Sequence, residues 1–307
     1  MIDNVSLIKV KAKSRKRFNW RQQRVAYLFL LPFFSIFTLF VWYPILKTII
    51  SSFQEVNLKG FQGWVGFTNY TRLFGNPVFY TAWKNALIYV LLSIVLGSMV
   101  PIILAIMINE MRRLSSFFQT IVYLPALIPV TVGLIIWRQI YSPEGGILNS
   151  LLQLIGIPPQ LWLTNPLLVK PAIIIIMTWI NAGGTTLIYL SGLREIPLEL
   201  YEAAELDGFS PLKRIWYITL PLIKSRIMIL VVLQVIIVAQ VFTEPFILTG
   251  GGMANSTRSP VIEIYDTAFN RWDFGLASAW SVSILVILAA FSILYVWWSQ
   301  RGRAGEV

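Results

Sequence analysis

Apolar residues fall along this chain in long blocks, without the period of 2 or 3.6 that marks half-buried strands and amphipathic helices. Six windows of about 20 or more mostly apolar residues lie near 25–50, 86–109, 117–140, 170–193, 226–248 and 275–298. A helix of that length crosses a hydrocarbon layer roughly 30 Å thick and satisfies its own backbone there. The pattern predicts an all-α membrane protein of six transmembrane helices. It divides into a basic segment 1–24, a membrane domain 25–298 and a tail 299–307. The first block follows basic residues, as in a signal peptide. It is too long for one, and no small-residue cleavage pattern follows, so it reads as a retained span.

Composition then removes chemistry. The chain has no cysteine and no histidine, which excludes thiol nucleophiles, disulfides, imidazole acid–base catalysis and most transition-metal sites. No paired intramembrane carboxylates and no Gly-x-x-x-x-Gly-Lys-[Ser/Thr] spacing occur. Neither a catalytic residue, a metal site nor a bound cofactor is therefore predicted, and the chain does not read as an enzyme.

The net charge of +11 is a statement about topology. Eight Lys and Arg precede the first block; Arg112 and Arg113, the group around 194–226, and Arg301 with Arg303 fall on the same side. That side holds 17 of the 25 basic residues and is cytoplasmic by the positive-inside rule, with both termini on it. The implied partner of this charge is lipid rather than nucleic acid. Trp42–Tyr43, Trp137 with Tyr141, and Trp297–Trp298 fall at span ends, where amphipathic rings settle at the interface. Trp280 also lies near an outer end, and is read either as an interfacial anchor or as a ring that stacks on a solute.

Charge is otherwise concentrated between the fourth and fifth blocks. Pro197 opens a short helix, LELYEAAELD, which Gly208 ends; Ser210–Pro211 starts a second, PLKRIWYITL, expected to end before Pro221. Ala203 and Ala204 leave a smooth surface beside Glu202. Such an elbow is either a solvated loop kept out of the bilayer by its charges or a knob that docks into a partner.

Polar residues inside the blocks mark two faces. Gln234, Gln240 and Glu244 lie within roughly 120° of one another on a continuous helix, with Ile237 and Val241. The fourth block brings Asn181, Gly183, Gly184, Thr185 and Thr186 together. Such residues either bond helix to helix or line a wet cavity. Glu244 is the only acid deep in a block, which leaves open an ion-coupled secondary carrier. The two halves lack matching interrupted helices, however, and this weighs against an inverted-repeat carrier.

EAAELDGFSPLKRIWYITLP resembles the signature loop of permease subunits of binding-protein-dependent ABC importers. GFTNYTRLFGNPVFYTAWKNAL, WRQIYSPEGGILNSLL and FILTGGGMANSTRSPVIEIYDTAFNRWDFGLASA are similar to loop segments of the carbohydrate-uptake branch. Ser225 and Met253 stand where that pattern often has proline, and the large outer insertion of the maltose-type subunit is absent. The resemblance implies a type I importer permease fold in a bacterial or archaeal cytoplasmic membrane. It implies a second homologous permease, two cytoplasmic ATPase subunits that bind ATP and Mg, an extracytoplasmic solute-binding protein and a carbohydrate or polyol as solute.

By position, Glu202, Ala203, Ala204, Asp207 and Gly208 match the ATPase-coupling motif. Asn181, Gly184, Gln234, Ile237, Val238 and Val241 match solute-lining positions, beside which Thr185 and Glu244 are further candidates.

Overall fold

The computed structural model describes residues 20–111 and 113–304, so most of the basic segment 1–24 lies outside the described residues. The chain divides into two compact units, residues 1–47 and 48–307. The first holds most of α1 (Tyr27–Ser51), an apolar helix with a π-helical turn at Thr38–Trp42.

The second unit opens with an antiparallel hairpin, β1 (Gln54–Asn57) and β2 (Gly60–Trp64), paired in register Gln54↔Trp64 and Asn57↔Gly60 with an irregularity between Glu55 and Val56. The hairpin forms because the Asn57 carboxamide accepts the Lys59 N–H at 2.9 Å, and because Gly60 adopts φ +90°, which tightens the turn. A short helix α2 (Thr68–Phe74) follows, then the long α3 (Pro77–Glu110). Asn76 caps α3 by accepting the Val78 N–H at 3.0 Å. Next come α4 (Ser115–Leu127), α5 (Val130–Ile140), α6 (Ile147–Leu154) and α7 (Val169–Leu193). The chain continues with α8 (Leu198–Leu206), α9 (Pro211–Ala239), α10 (Thr243–Thr249), α11 (Pro260–Tyr265) and α12 (Phe274–Arg301). The tail predicted from residue 299 begins as helix, which runs on to Ala304.

Among the described residues, α1, α3, α7, α9 and α12 are long and apolar enough to cross a membrane, and the bent pair α4–α5 makes six if it counts as one span. Proline explains the departures at the third and fifth expected spans. The block at 117–140 carries Pro125 and Pro129, and its two halves meet at 97°. Proline removes a helical N–H and crowds the carbonyl four residues back. The span expected at 226–248 ends instead at Ala239, because a helix through Pro245 would drive its ring against the carbonyl of Val241. Pro245 sits in the first turn of α10, where its missing N–H has no helical partner to lose.

At Pro221 the opposite happens. The helix expected to stop there passes through, because a π-helical turn at Ile215–Thr219 shifts the hydrogen bonding ahead of the proline. The Leu220 N–H bonds Ile215 O, five residues back. α9 is therefore one rod of 29 residues, about 44 Å long.

α7 is the centre of the second unit: half of its apolar window is buried, against 17% for α9 and for α12. Its residues Ile173, Ile174 and Ile176 join Tyr89 of α3, Leu134 of α5, and Val238, Val241 and Leu248 in the main core. A second cluster at the elbow end joins Ala105 and Ile108 to Tyr189, Leu193 and Ile223. A third, at the far end, packs Leu73 and Phe79 on Trp280, whose ring centroid lies 5.2 Å from that of Phe79. Trp280 is 1% exposed, so neither interfacial anchoring nor stacking on a solute, the two roles expected of it, is open to it. Tyr141, expected at an interface, is likewise buried and donates to Ala172 O at 3.2 Å.

Candidate functional site

The elbow is built as its sequence requires. α8 ends at Leu206, and Gly208 takes φ +76°, a left-handed conformation in which glycine carries no Cβ penalty. Its N–H bonds Glu205 O at 3.0 Å and the Phe209 N–H bonds Ala204 O at 2.8 Å, the paired bonds of a Schellman cap. Ser210 then accepts the Lys213 N–H at 3.4 Å and Pro211 opens α9. Across the turn Arg214 donates to Glu205 at 3.0 Å, and Tyr201 OH meets Thr219 Oγ1 at 3.0 Å. Below the elbow Arg226 pairs with Glu195 and lies against Gly192, where any Cβ would meet Arg226 Nη1 at 2.6 Å. Arg194 donates to Ser115 Oγ at 2.9 Å. The elbow is thus braced across its own turn, and its base is pinned by Arg226–Glu195.

Of the coupling candidates, Ala203, Asp207 and Gly208 are exposed at the apex, and a Cβ on Gly208 would meet nothing within 4 Å. Glu202 is exposed too, and lines a cleft of about 840 Å³ behind α8 with Asn109, Glu110, Arg194 and Glu205. Ala204 corrects the expectation: it is 7% exposed, so it faces inward and forms no docking surface. The residue missed is Leu206, 89% exposed at the tip. Its signal was a large apolar side chain directly beside the helix-ending Asp207–Gly208.

The two polar faces resolve differently. On α7, Asn181, Gly184 and Thr185 follow i, i+3, i+4 spacing along one open stripe, and nothing lies within 4 Å of a Cβ built on Gly184. Asn181 is exposed, its amide bonded back to Met177 O at 2.8 Å. Gly183, one residue on, serves packing: a Cβ there would meet Val122 O and lie 2.7 Å from Tyr123 Cα, so α7 and α4 touch backbone to backbone.

On α9 the expected common face does not exist. Gln234 lies in the helix, Gln240 caps its end and Glu244 belongs to the first turn of α10. Gln234 Nε2 donates to Ser93 O at 2.7 Å and its Oε1 accepts from Ser98 Oγ at 2.9 Å, which binds α9 to α3. Val238 and Val241, expected to line a pathway, are each 4% exposed and lie in the main core. Ile237 is 66% exposed. Glu244 is half-buried and makes no ion pair among the described residues.

The far-end loops are held by three buried asparagines that sequence reasoning did not single out. Asn69 donates to Ser52 O and Gln54 O at 3.0 and 2.9 Å; Asn85 donates to Asn255 O and Arg258 O at 2.8 and 2.9 Å. Asn149 donates to Ser142 O and Gln160 O and accepts from Trp162 Nε1, each at 3.0 Å. An asparagine amide offers two donors and two acceptor sites, enough to satisfy loop carbonyls that have left regular structure. Each lies inside one of the loop motifs, GFTNY, WKNAL and ILNSLL. The segment after α10 is fixed further by Arg258, which pairs with Asp266 and with the fully buried Glu263.

Comparison with known proteins agrees with this anatomy. Residues 97–303 match the family described as the binding-protein-dependent transport system inner membrane component. The chain is 35% identical to the probable ABC transporter permease protein YurN of Bacillus subtilis, over 91% of this chain and 97% of that one. It is 30% identical to the trehalose/maltose transport system permease protein MalF of Thermococcus litoralis, over 91% and 95%. A chain of the bacterial alginate ABC transporter, solved in complex with an alginate pentasaccharide-bound periplasmic protein, superposes with a TM-score of 0.81 at 28% identity, covering 92% of this chain and 96% of that one. The chain therefore belongs to the inner-membrane permease family of binding-protein-dependent ABC importers, as a multi-pass transport subunit.

Proposed function

We propose that this chain forms half of a transmembrane pathway that imports a carbohydrate or related polyol, and that a second, homologous permease forms the other half. Relatives named for trehalose and maltose transport and for alginate support the solute class. The positive-inside count supports cytoplasmic termini and elbow, with the asparagine-pinned loops facing the solute-binding protein outside. Two cytoplasmic ATPase subunits hold ATP and Mg.

The observation that carries the reading is the elbow. Its apex presents Ala203, Leu206, Asp207 and Gly208 outward on a base braced by Arg214–Glu205 and Arg226–Glu195. A rigid apex with an uncovered leucine at its tip suits a groove in a moving partner, and the unbroken α9 carries that movement into the membrane as a lever. The solute passes along the Asn181–Gly184–Thr185 stripe of α7 with Ile237 of α9, where a carboxamide and hydroxyl meet sugar hydroxyls. Family membership sets aside the ion-coupled carrier built on Glu244.

Gentle extraction of the tagged chain from native membranes tests the reading. It should bring down an ATPase and another permease, and Glu202→Lys should lose the ATPase while keeping the permease. Recovery of the unaltered chain alone, under conditions that preserve other membrane complexes, would refute it.

A further inference from the structure

α3 is interrupted once near its middle, by a π-helical turn at Ile94–Ser98. A π-turn inserts one residue into the helical register, disturbs the i to i+4 ladder and leaves a carbonyl to be satisfied elsewhere. Here Ser93 O takes the Gln234 amide at 2.7 Å, and Ser98, at the turn's other edge, donates to the same side chain at 2.9 Å. The turn residue facing the amide is Gly97, and a Cβ built on it would overlap Gln234 Nε2. Three features of α3 (turn, glycine and serine) thus accommodate one glutamine of α9.

The two halves of α3 on either side of this point have different attachments. Beyond the turn, Met99–Glu110 packs on α7 near the elbow, through Ala105, Ile108 and Leu193. Before it, Pro77–Ser93 holds the far-end segment, through Asn85 and Tyr89 to the carbonyls of Asn255, Thr257 and Arg258. Gln234 sits about 35 Å up the rod that begins at the elbow. A displacement of the elbow therefore arrives, through α9, at the point where α3 changes register.

We propose that Gln234 is a positioning residue for transport. Resting on the importer reading above, the proposal is that its amide latches α3 in the π-register in one state of the cycle and releases it in the other. The half of α3 that holds the outer loops then moves with the elbow. A polar latch suits this task better than an apolar contact: two hydrogen bonds in an apolar surround have a definite made and unmade state.

The test uses the whole complex, with partner permease and ATPases, in proteoliposomes with its binding protein. Gln234→Leu removes both bonds at similar volume; Gly97→Ala keeps the glutamine and forces the latch apart. Both should lower ATP-driven uptake by roughly 2- to 30-fold, the span that coupling changes along such a network cover. Both should also bring the ratio of binding-protein-stimulated to basal ATP hydrolysis toward one, which a contact needed only for folding would leave unchanged in the assembled fraction.

Because the chain has no cysteine, a Ser98→Cys/Gln234→Cys pair joined by a short bis-thiosulfonate spacer should lower uptake below that of the unjoined pair, and reduction should return it to the unjoined level. Unchanged uptake and stimulation in both single variants, or no loss of uptake when the pair is joined, overturns the latch. Absence of ATP-driven uptake in the unaltered complex would instead overturn the importer reading.

Discussion

Gly183 and Gly184 are neighbours of one residue type on one helix, and the structure gives them opposite sensitivities. A Cβ on Gly183 would lie 2.7 Å from Tyr123 Cα and also meet Val122 O, both backbone atoms of α4 that cannot swing aside. Restoring ordinary contact means separating the two helices by about 1 Å along the crossing. Overpacking of that kind costs about 1–3 kcal/mol. A Cβ on Gly184 would meet nothing within 4 Å, and alanine exceeds glycine in helix preference by roughly 1 kcal/mol. Gly183→Ala should therefore destabilise the chain by about 1–3 kcal/mol, and Gly184→Ala should be neutral or stabilising by up to about 1 kcal/mol. Equilibrium unfolding of the purified chain in mixed detergent–SDS micelles reads both. If Gly183→Ala unfolds at the same SDS fraction as the unaltered chain, or if the two variants shift alike, the backbone-to-backbone crossing of α7 and α4 is wrong.

Four further outcomes follow from the same geometry. Gly184→Leu should leave micelle stability within about 1 kcal/mol but abolish solute uptake by the assembled complex; retained uptake would remove the α7 stripe from the pathway. Gly208→Pro replaces φ +76° with an angle fixed near −65°, so it should uncouple ATP hydrolysis from uptake while the chain still inserts; normal uptake would sink the rigid elbow. Leu206→Asp should weaken ATPase binding at least roughly tenfold, because burying a leucine side chain is worth about 1.5–3 kcal/mol; unchanged affinity in a titration would show that the tip is not the anchor. Arg258→Met leaves Glu263 buried beside only the more distant Arg271, 3.5 Å away. Breaking such a pair costs about 3–5 kcal/mol, so proteolysis between Gly250 and Asn270 should quicken, and an unchanged digestion pattern would count against the network.

Legibility in the sequence followed the strength of the local signal. The spans were readable because about 20 apolar residues have few other physical solutions. The elbow's turn was readable residue by residue, since Gly208, Ser210 and Pro211 each have one strong conformational role, whereas the inward face of Ala204 was not. Span ends were misplaced where proline decided them. Pro245 broke a block that averaged as continuous, whereas Pro221 was absorbed by a π-turn that no propensity scale records. Which way a residue faces was harder to read. Val238 and Val241 sit among candidate pathway positions by alignment, yet lie in the core: Val238, four residues on from Gln234, shares the helix face packed against Ser93, and Val241 follows the end of α9. Asn69, Asn85 and Asn149 look like ordinary loop asparagines until the carbonyls they satisfy, many residues away, are seen. Such pairings belong to tertiary structure and leave no periodic trace.

The central claim is that work done by an ATPase reaches a sugar through this chain's elbow. The most direct measurement is uptake of a labelled oligosaccharide into proteoliposomes holding the complete complex, with ATP inside and binding protein outside. Uptake that requires ATP, survives collapse of ion gradients and fails in Gly208→Pro is the predicted result. Uptake that follows an ion gradient without ATP, and is lost in Glu244→Gln while Gly208→Pro transports normally, would contradict it.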